Sequence, residues 1–409
     1  MSNPAIESST TEPEMASRTD MPSTGMFVVQ NSTVGNVPEG CVEVYMSNVS
    51  SQYPDDLVSQ KAYLTLSAIF SGVVVPVFFL IGFSTNFVNM IVFYKHGLRE
   101  RFNLCVFVLA FTDTIHMCGI FLTYVQSPNS LIVKALTSPE TTTLGPVMRA
   151  VLDYKLLGLS GFYSASQLIS AIVAFERCYC VVRPLKSHTV LSTKTMAGII
   201  VIVCVPAVAG YFVSTSRWNL GCIIDSATGS ITFVPKASRF YLQNRQLVDA
   251  VNSIMQGFPL PAFCITIVTV MTIITVVKLK QMTRWREDTS TAGRLSTKEV
   301  TLTRMLVGTS ILFMVCSTPQ IVVFITGLFV PGLKLGGYYH HTYSVGVKIY
   351  ETAALINSSF NFFVYYKFGT KFRETVDKMF LCGNKSSGNK LEHTHTRMSG
   401  FSNGPSVWG

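Results

Sequence analysis

Charge is scarce in this sequence. Of 409 residues only 13% are Asp, Glu, Lys or Arg, while 48% are hydrophobic; ordinary soluble proteins carry roughly 25% charged residues. That balance argues against a soluble chain and for one that lives in lipid. Acidic residues are fewest, 22 against 32 basic ones, which leaves a net charge of +10. Residues 1–60 hold no apolar core of the kind a cleavable signal peptide needs. Cysteine is also thin where it would crosslink: most of the 10 Cys lie inside apolar runs as small fillers, and only Cys41 and Cys222 fall clearly in outer segments. Such a two-member set permits one intramolecular pairing, Cys41 with Cys222.

Long apolar runs are abundant. Seven stretches approach the ~20 helical residues that about 30 Å of hydrocarbon requires. They run from about Leu66 to Tyr94, Leu104 to Val125, Met148 to Val181, Met196 to Val213, Ile254 to Val277, Thr303 to Phe329 and Ser344 to Tyr366. The third is the weakest by hydropathy, because Asp153, Lys155 and several Ser interrupt it. The expected fold is all-α, a seven-helix membrane bundle. Basic residues cluster after the odd-numbered spans, among them Lys95 and Arg99, Arg183 and Lys186, Lys278 to Lys298, and Lys367 to Lys378. By the positive-inside rule these loops face the cytoplasm and the N-terminus is outside. The net charge then belongs to the cytoplasmic face, and no nucleic-acid partner is needed to explain it.

This pattern divides the chain into an outer tail over 1–62, a membrane domain over 63–382 and a cytoplasmic tail over 383–409. The outer tail is polar, acidic and rich in Ser, Thr and Pro, and reads as disordered. Asn31 and Asn48 head glycan acceptor triplets on that side. Around Cys222, apolar runs flank a Thr-Gly turn signal and predict a short outer hairpin. Past Tyr366, Phe368, Phe372, Val376 and Phe380 share one helical face, which predicts an amphipathic helix along the inner leaflet. Cys382 at its end is a palmitoylation candidate, with a free thiol as the alternative.

Polar residues inside apolar spans carry the functional information, because burying an ion in hydrocarbon costs about 2.5 to 3.5 kcal/mol even on a lenient scale. Glu176 and Arg177 stand side by side in AIVAFERCYCVVRPL. Asp113 lies deep in the second span, with Asn86, Asn357 and Asn361 at similar depth in other spans. Plain interhelical hydrogen bonding accounts for an Asn. It accounts poorly for an ionisable Asp.

These residues resemble the motifs of rhodopsin-class (class A) G-protein-coupled receptors over about 300 residues. Glu176-Arg177-Cys178 followed by Pro184-Leu185 is similar to the D/E-R-Y signature and its loop; Asn86, LAFTD at 109–113, FMVCSTP at 313–319 and NFFVY at 361–365 fall in the family order. The resemblance implies a plasma-membrane receptor that binds an extracellular peptide or small molecule and activates a heterotrimeric G protein, with arrestin and a receptor kinase as further partners. It implies a switch built from Glu176, Arg177, Pro184, Leu185, Glu299, Pro319, Asn361 and Tyr365, in which Arg177 is paired at rest and freed when the sixth helix swings about Pro319. It also implies an allosteric sodium ion held by Asp113, Ser166, Asn357 and Asn361, with no other cofactor. Three positions depart from the pattern: Ser317 replaces a Trp, Leu152 a disulfide Cys, and Phe362 a Pro, the last resembling invertebrate FMRFamide-type neuropeptide receptors and mollusc chemosensory receptors.

The ligand class is narrowed by absences. Leu159 stands where amine receptors carry an Asp, and Leu355 where opsins carry a Lys. Asp153, Tyr154, Lys155, Tyr163, Lys348, Tyr350 and Glu351 instead offer mixed charge with aromatics, which suits a peptide, an amino acid or another polar ligand. A neuropeptide receptor is the first reading and a divergent chemosensory receptor the alternative. A remote third, an intramembrane serine protease, rests on Gly158-Leu-Ser160-Gly161, although His116 precedes Ser160 and small-residue helix packing explains both glycines. The expectation is that the chain is not an enzyme.

Overall fold

A computed structural model describes the backbone of residues 41–44, 56–125, 156–183, 186–187, 190–225, 231–255, 257–288, 297–334 and 337–381. Its body is a bundle of long helices, the form apolar chains take where no water is at hand to satisfy backbone N–H and C=O groups. Helix α1 spans Gln60–His96. Ser59 caps it, its hydroxyl accepting the Ala62 N–H at 3.3 Å. A single π turn over Phe70–Val74 leads into Pro76, which has no N–H to offer the Gly72 carbonyl. Then follow α2 (Arg101–Val125), α3 (Gly161–Val182), entered through a 3-10 turn at Leu156–Ser160, and α4 (Thr193–Thr215). Two short helices, Arg239–Gln243 and Arg245–Met255, precede α5 (Pro259–Asp288). The remainder are α6 (Thr297–Phe329), α7 (His340–Phe368) and α8 (Thr370–Leu381).

Helix α3 occupies the middle of the bundle, packed on α2, α4, α5 and α6, while α7 closes the ring against α1 and α6. The core between them is apolar, with Val92, Phe93, Val106, Ile169, Cys264 and Val268 almost wholly buried. Leu80, Ile202, Val315 and Phe329 are exposed on the outside, the arrangement expected of helices that face lipid. Two glycines set the α3–α4 distance: a Cβ on Gly161 would lie 2.6 Å from Tyr211 Cβ, and one on Gly158 2.6 Å from the Phe212 ring. Close backbone approach is what small residues provide in such interfaces.

Six helices among the described residues are long and apolar enough to cross a membrane. The one outside that set is α7 rather than α3, which corrects the expected order of weakness. The reason lies in what α7 carries: Lys348 and Glu351 are half-buried, and Asn357, Ser358, Ser359 and Asn361 are buried in the bundle. Its polar residues face other helices, so its mean hydropathy understates its fit to the bundle.

The predicted hairpin forms, with strands β2 (Trp218–Asp225) and β3 (Ile231–Ala237) antiparallel. A third strand, β1 (Cys41–Val44), adds to β2 in parallel, with Cys41 opposite Cys222. The all-α description therefore holds for the bundle, with a small sheet outside it. The disordered tail expected through residue 62 is corrected at three points, by β1, by α1 starting at Gln60, and by Asp56. The Asp56 carboxylate accepts the N–H of His341 at 2.6 Å, the N–H of Thr342 at 3.2 Å and the Thr342 hydroxyl at 2.5 Å. Tyr339, at the start of α7, offers no side-chain cap. Asp56 fills that role from a distant part of the chain, an anion set on the positive end of the helix. Tyr63 stacks on His341 with centroids 4.8 Å apart and seals the contact. Asn31 and Asn48 lie outside the described residues.

Burial alone would raise the pKa of Asp56, but the Thr342 hydroxyl and the backbone N–H groups of His341, Val58 and Thr342 outweigh it and hold the carboxyl below its ordinary 3.8. A depressed folded value means the stabilisation is complete above the ordinary value and is lost as pH falls through the folded one. Asp56→Ala is expected to remove a cap of about 1 kcal/mol. Thermal unfolding of solubilised protein at neutral pH checks this, with Asp56→Asn losing less because an acceptor oxygen remains.

Candidate functional site

Three polar layers are strung along the bundle. At one end, Lys348, Tyr350 and Glu351 of α7 face Tyr63 and Phe70 of α1 and Tyr124 of α2. The Tyr124 hydroxyl donates to Glu351 Oε2 at 2.5 Å. Lys348 Nζ stands 5.6 Å from the ring centroids of Tyr63, Phe70 and Tyr124, within cation–π reach of each. Tyr350 lies beside Phe324 of α6. Deeper, the Tyr163 hydroxyl donates to Gln320 Oε1 at 3.3 Å, Gln167 donates to the same oxygen at 3.0 Å, and His116 stacks on Tyr163 with centroids 5.0 Å apart. The structure thus brings Tyr163, Lys348, Tyr350 and Glu351 into the bundle interior. Asp153, Tyr154 and Lys155 lie outside the described residues.

The middle layer is built on Asp113. Its Oδ1 accepts the Ser166 hydroxyl at 2.6 Å and the Ser358 hydroxyl at 3.1 Å, while Asn361 Nδ2 donates to Oδ2 at 3.4 Å. Asn357, the neighbour of Ser358, makes no bond to Asp113; it is buried and lines a cavity of about 440 Å³, counting space open to solvent, together with Asn361, Tyr365, Phe313, Met305 and Phe102. Asn86 donates to the Ser358 carbonyl at 3.0 Å and not to the carboxylate. One carboxylate with two hydroxyl oxygens is a hard donor set of the kind a small alkali cation accepts. Ser358 was not legible as part of it, since a Ser in a span reads as a packing residue.

The third layer answers how two full charges sit in an apolar run. The Glu176 side chain is 1% exposed. Arg177 donates to it through Nε and, at 2.7 Å, through Nη2, and its guanidinium lies 4.9 Å over the Phe102 ring. A second arginine, Arg101 at the start of α2, approaches Glu176 Oε1 at 3.6 Å. Arg101 also donates to the carbonyls of Ser187 at 2.6 Å and Leu191 at 2.7 Å in the segment after α3. Cys180 completes the shell at 3.3 Å. A buried carboxylate needs such partners, because an uncompensated one costs several kcal/mol. In the sequence Arg101 registers only as one more basic residue on the positive side.

The Glu299 backbone lies in the first turn of α6, but its side chain is outside the described residues, as are Pro184, Leu185 and Cys382. Helix α6 runs on through Pro319, which leaves the Val315 carbonyl without its usual donor. Tyr365 is buried against Phe93 and Phe372, with ring centroids 5.4 and 5.8 Å away. Phe362 packs on Phe372 as well, at 5.7 Å, so this residue helps dock α8. Phe372 and Val376 of α8 are buried while Phe380 is exposed. Ser160 ends the 3-10 turn, and neither ring nitrogen of His116 has a hydrogen-bond partner among the described residues, so no Ser–His pair exists there.

A helical bundle with a polar, aromatic layer at one end, a buried acid at mid-depth and a charged pair at the far end has the build of a serpentine receptor. The chain belongs to the family of serpentine type 7TM GPCR chemoreceptors, Srw, whose model matches residues 73–383. No curated protein shows a significant match to the chain. The family is one of receptors. Of the readings left open by the sequence, it favours the chemosensory one over the neuropeptide one.

Arg101→Ala is expected to destabilise the solubilised protein by about 1.5 to 3 kcal/mol, since it strips a charged donor from Glu176 and from the carbonyls of Ser187 and Leu191. Arg101→Lys should recover only part of this, because an ammonium cannot reproduce the planar fork. Unfolding midpoints of the two variants, measured side by side, check it.

Proposed function

We infer that this chemoreceptor sits in the plasma membrane with its N-terminus outside, takes a small polar ligand between α1, α2, α3, α6 and α7, and activates a heterotrimeric G protein at the Arg177 end. The observation that carries this reading is the burial of Glu176 between two arginines. Such a network stabilises one packing of the helix ends strongly and makes any packing that separates its members a distinct state. That is the property a switch requires. The cavity between the Asp113 layer and Phe102 gives α6 and α7 room to repack.

Several partners follow from the same reading. Arg177, released from Glu176 and from Glu299, meets the G protein, with Pro184 and Leu185 in the adjoining loop. The Ser and Thr residues after 383 serve a receptor kinase and arrestin. Cys382 is a lipid-anchor site, and Asn31 and Asn48 carry glycans. Asp113, with the hydroxyls of Ser166 and Ser358 and the amides of Asn357 and Asn361 nearby, holds a sodium ion that favours the resting packing. The register that sets Cys41 opposite Cys222 supports a disulfide between them. Of the two ligand readings, the chemosensory one takes precedence because the family is one of chemoreceptors.

Glu299→Ala is expected to cost the resting state a charge-assisted bond of about 1.5 to 3 kcal/mol. Each 1.4 kcal/mol shifts the active-to-resting ratio about tenfold, so agonist-independent signalling should rise. Arg177→Ala should abolish signalling while surface expression persists. Basal G-protein activation at matched expression decides: if both substitutions lower it alike, the pair only anchors helix ends. A separate check is non-reducing peptide mapping of surface-expressed receptor, which should recover Cys41 and Cys222 linked; closing so long a loop stabilises by roughly 2 to 4 kcal/mol.

A further inference from the structure

Where α7 meets α1 and α2, two opposite charges are left incompletely partnered. Lys348 and Glu351 are three residues apart on α7 and so lie on one face, a turn from each other. Both are half-buried. Among the described residues the Lys348 ammonium makes no hydrogen bond and no close ion pair; it stands over the faces of Tyr63, Phe70 and Tyr124, each centroid at 5.6 Å, and meets Glu351 and His340 only through longer-range electrostatics. Glu351 takes one hydroxyl proton, from Tyr124, on Oε2. Its other oxygen, Oε1, has no donor among the described residues.

We propose that Lys348 and Glu351 together form a recognition site for a small zwitterion, an α-amino acid, whose carboxylate meets the Lys348 ammonium while its ammonium meets Glu351 Oε1. This rests on the receptor reading above and narrows its ligand. One charge of each sign, as Lys348 and Glu351 supply among the described residues, discriminates against ligands of a single charge. An amine drawn to Glu351 is repelled by Lys348, and a plain carboxylate drawn to Lys348 is repelled by Glu351. An α-amino acid satisfies both at once because its two charges stand on one carbon, matched to two groups one helical turn apart. The ring faces of Tyr63, Phe70 and Tyr124 hold Lys348 in place, and the Tyr124 hydroxyl orients Glu351 toward it. Tyr350 and Phe324, in contact at 6.0 Å between centroids, offer apolar surface for the ligand side chain.

The rival reading is that the two charges merely tie α7 to α1 and α2. Three probe sets separate them: pooled free α-amino acids, the pooled decarboxylated amines with the same side chains, and the pooled N-acetyl amino acids. Each is applied to full-length receptor in cells with a promiscuous G protein, and each is tested for thermal protection of the purified receptor, which reads binding without coupling. The amino-acid pool should both signal and protect, with the other pools at least tenfold weaker. Lys348→Gln and Glu351→Gln should each lose potency at least tenfold at matched surface expression. The exchange Lys348→Glu with Glu351→Lys should regain part of it, an outcome a purely structural tie would not give. Equal responses to the amine or N-acetyl pool, or variants that respond like the parent, overturn the inference. So does the absence of both signal and protection from the amino-acid pool. Protection without signal, with Glu299→Ala also silent, leaves this site standing and overturns G-protein coupling instead.

Discussion

Hydrocarbon offers no hydrogen bonds, and that one constraint orders this molecule. Each backbone group in a span must be satisfied within its own helix, which dictates the bundle. A hydroxyl in a span can return to a carbonyl of its own helix, as Thr114 and Thr123 do, but a buried carboxylate or amide draws partners from other helices and so influences how they turn. Asp113 with Ser166, Ser358 and Asn361 joins α2, α3 and α7. Asn86 bonded to the Ser358 carbonyl brings α1 to the same place. Thr272 and Ser310, hydroxyl to hydroxyl at 2.9 Å, do the same for α5 and α6.

The same constraint separates structure from signalling. A polar group fully satisfied by its neighbours rigidifies the packing; one satisfied in two alternative ways makes it bistable. The proposed switch makes Glu176 one of the second kind; in this arrangement Arg177 and Arg101 both address it, and Arg101 is also committed to the loop carbonyls of Ser187 and Leu191. The usual Trp before Pro319 is a buried Ser317 here. The proposed motion of α6 then needs other contacts to report it, and the hydrogen bonds from Tyr163 and Gln167 to Gln320, next to the proline, offer one physical link toward the proposed ligand site.

Phe362 shows how a departure from a family pattern is absorbed. A proline at that point would have no N–H for the Ser358 carbonyl and would kink the end of α7; the phenylalanine instead packs on Tyr366 and Phe372 and ties α7 to α8. The contact between His96 and Thr375 at 2.9 Å ties α8 to the end of α1.

Much of the architecture was legible beforehand, because hydropathy and the positions of charges act locally: the spans, the hairpin around Cys222 and the amphipathic α8 are each written in a few consecutive residues. So were Asp113, Glu176 and Arg177, since a charge in an apolar run announces itself wherever it points. What only the tertiary structure decided was the partner of each. Ser358 rather than Asn357 bonds to Asp113, Arg101 joins Glu176 from another helix, and Asp56 caps a helix that starts 284 residues later, at His340. The tail strand that pairs with β2 had no sign of its own. A side chain's type is a property of one position; its partner depends on the rotation and depth of two helices, and those are settled only when the whole bundle packs.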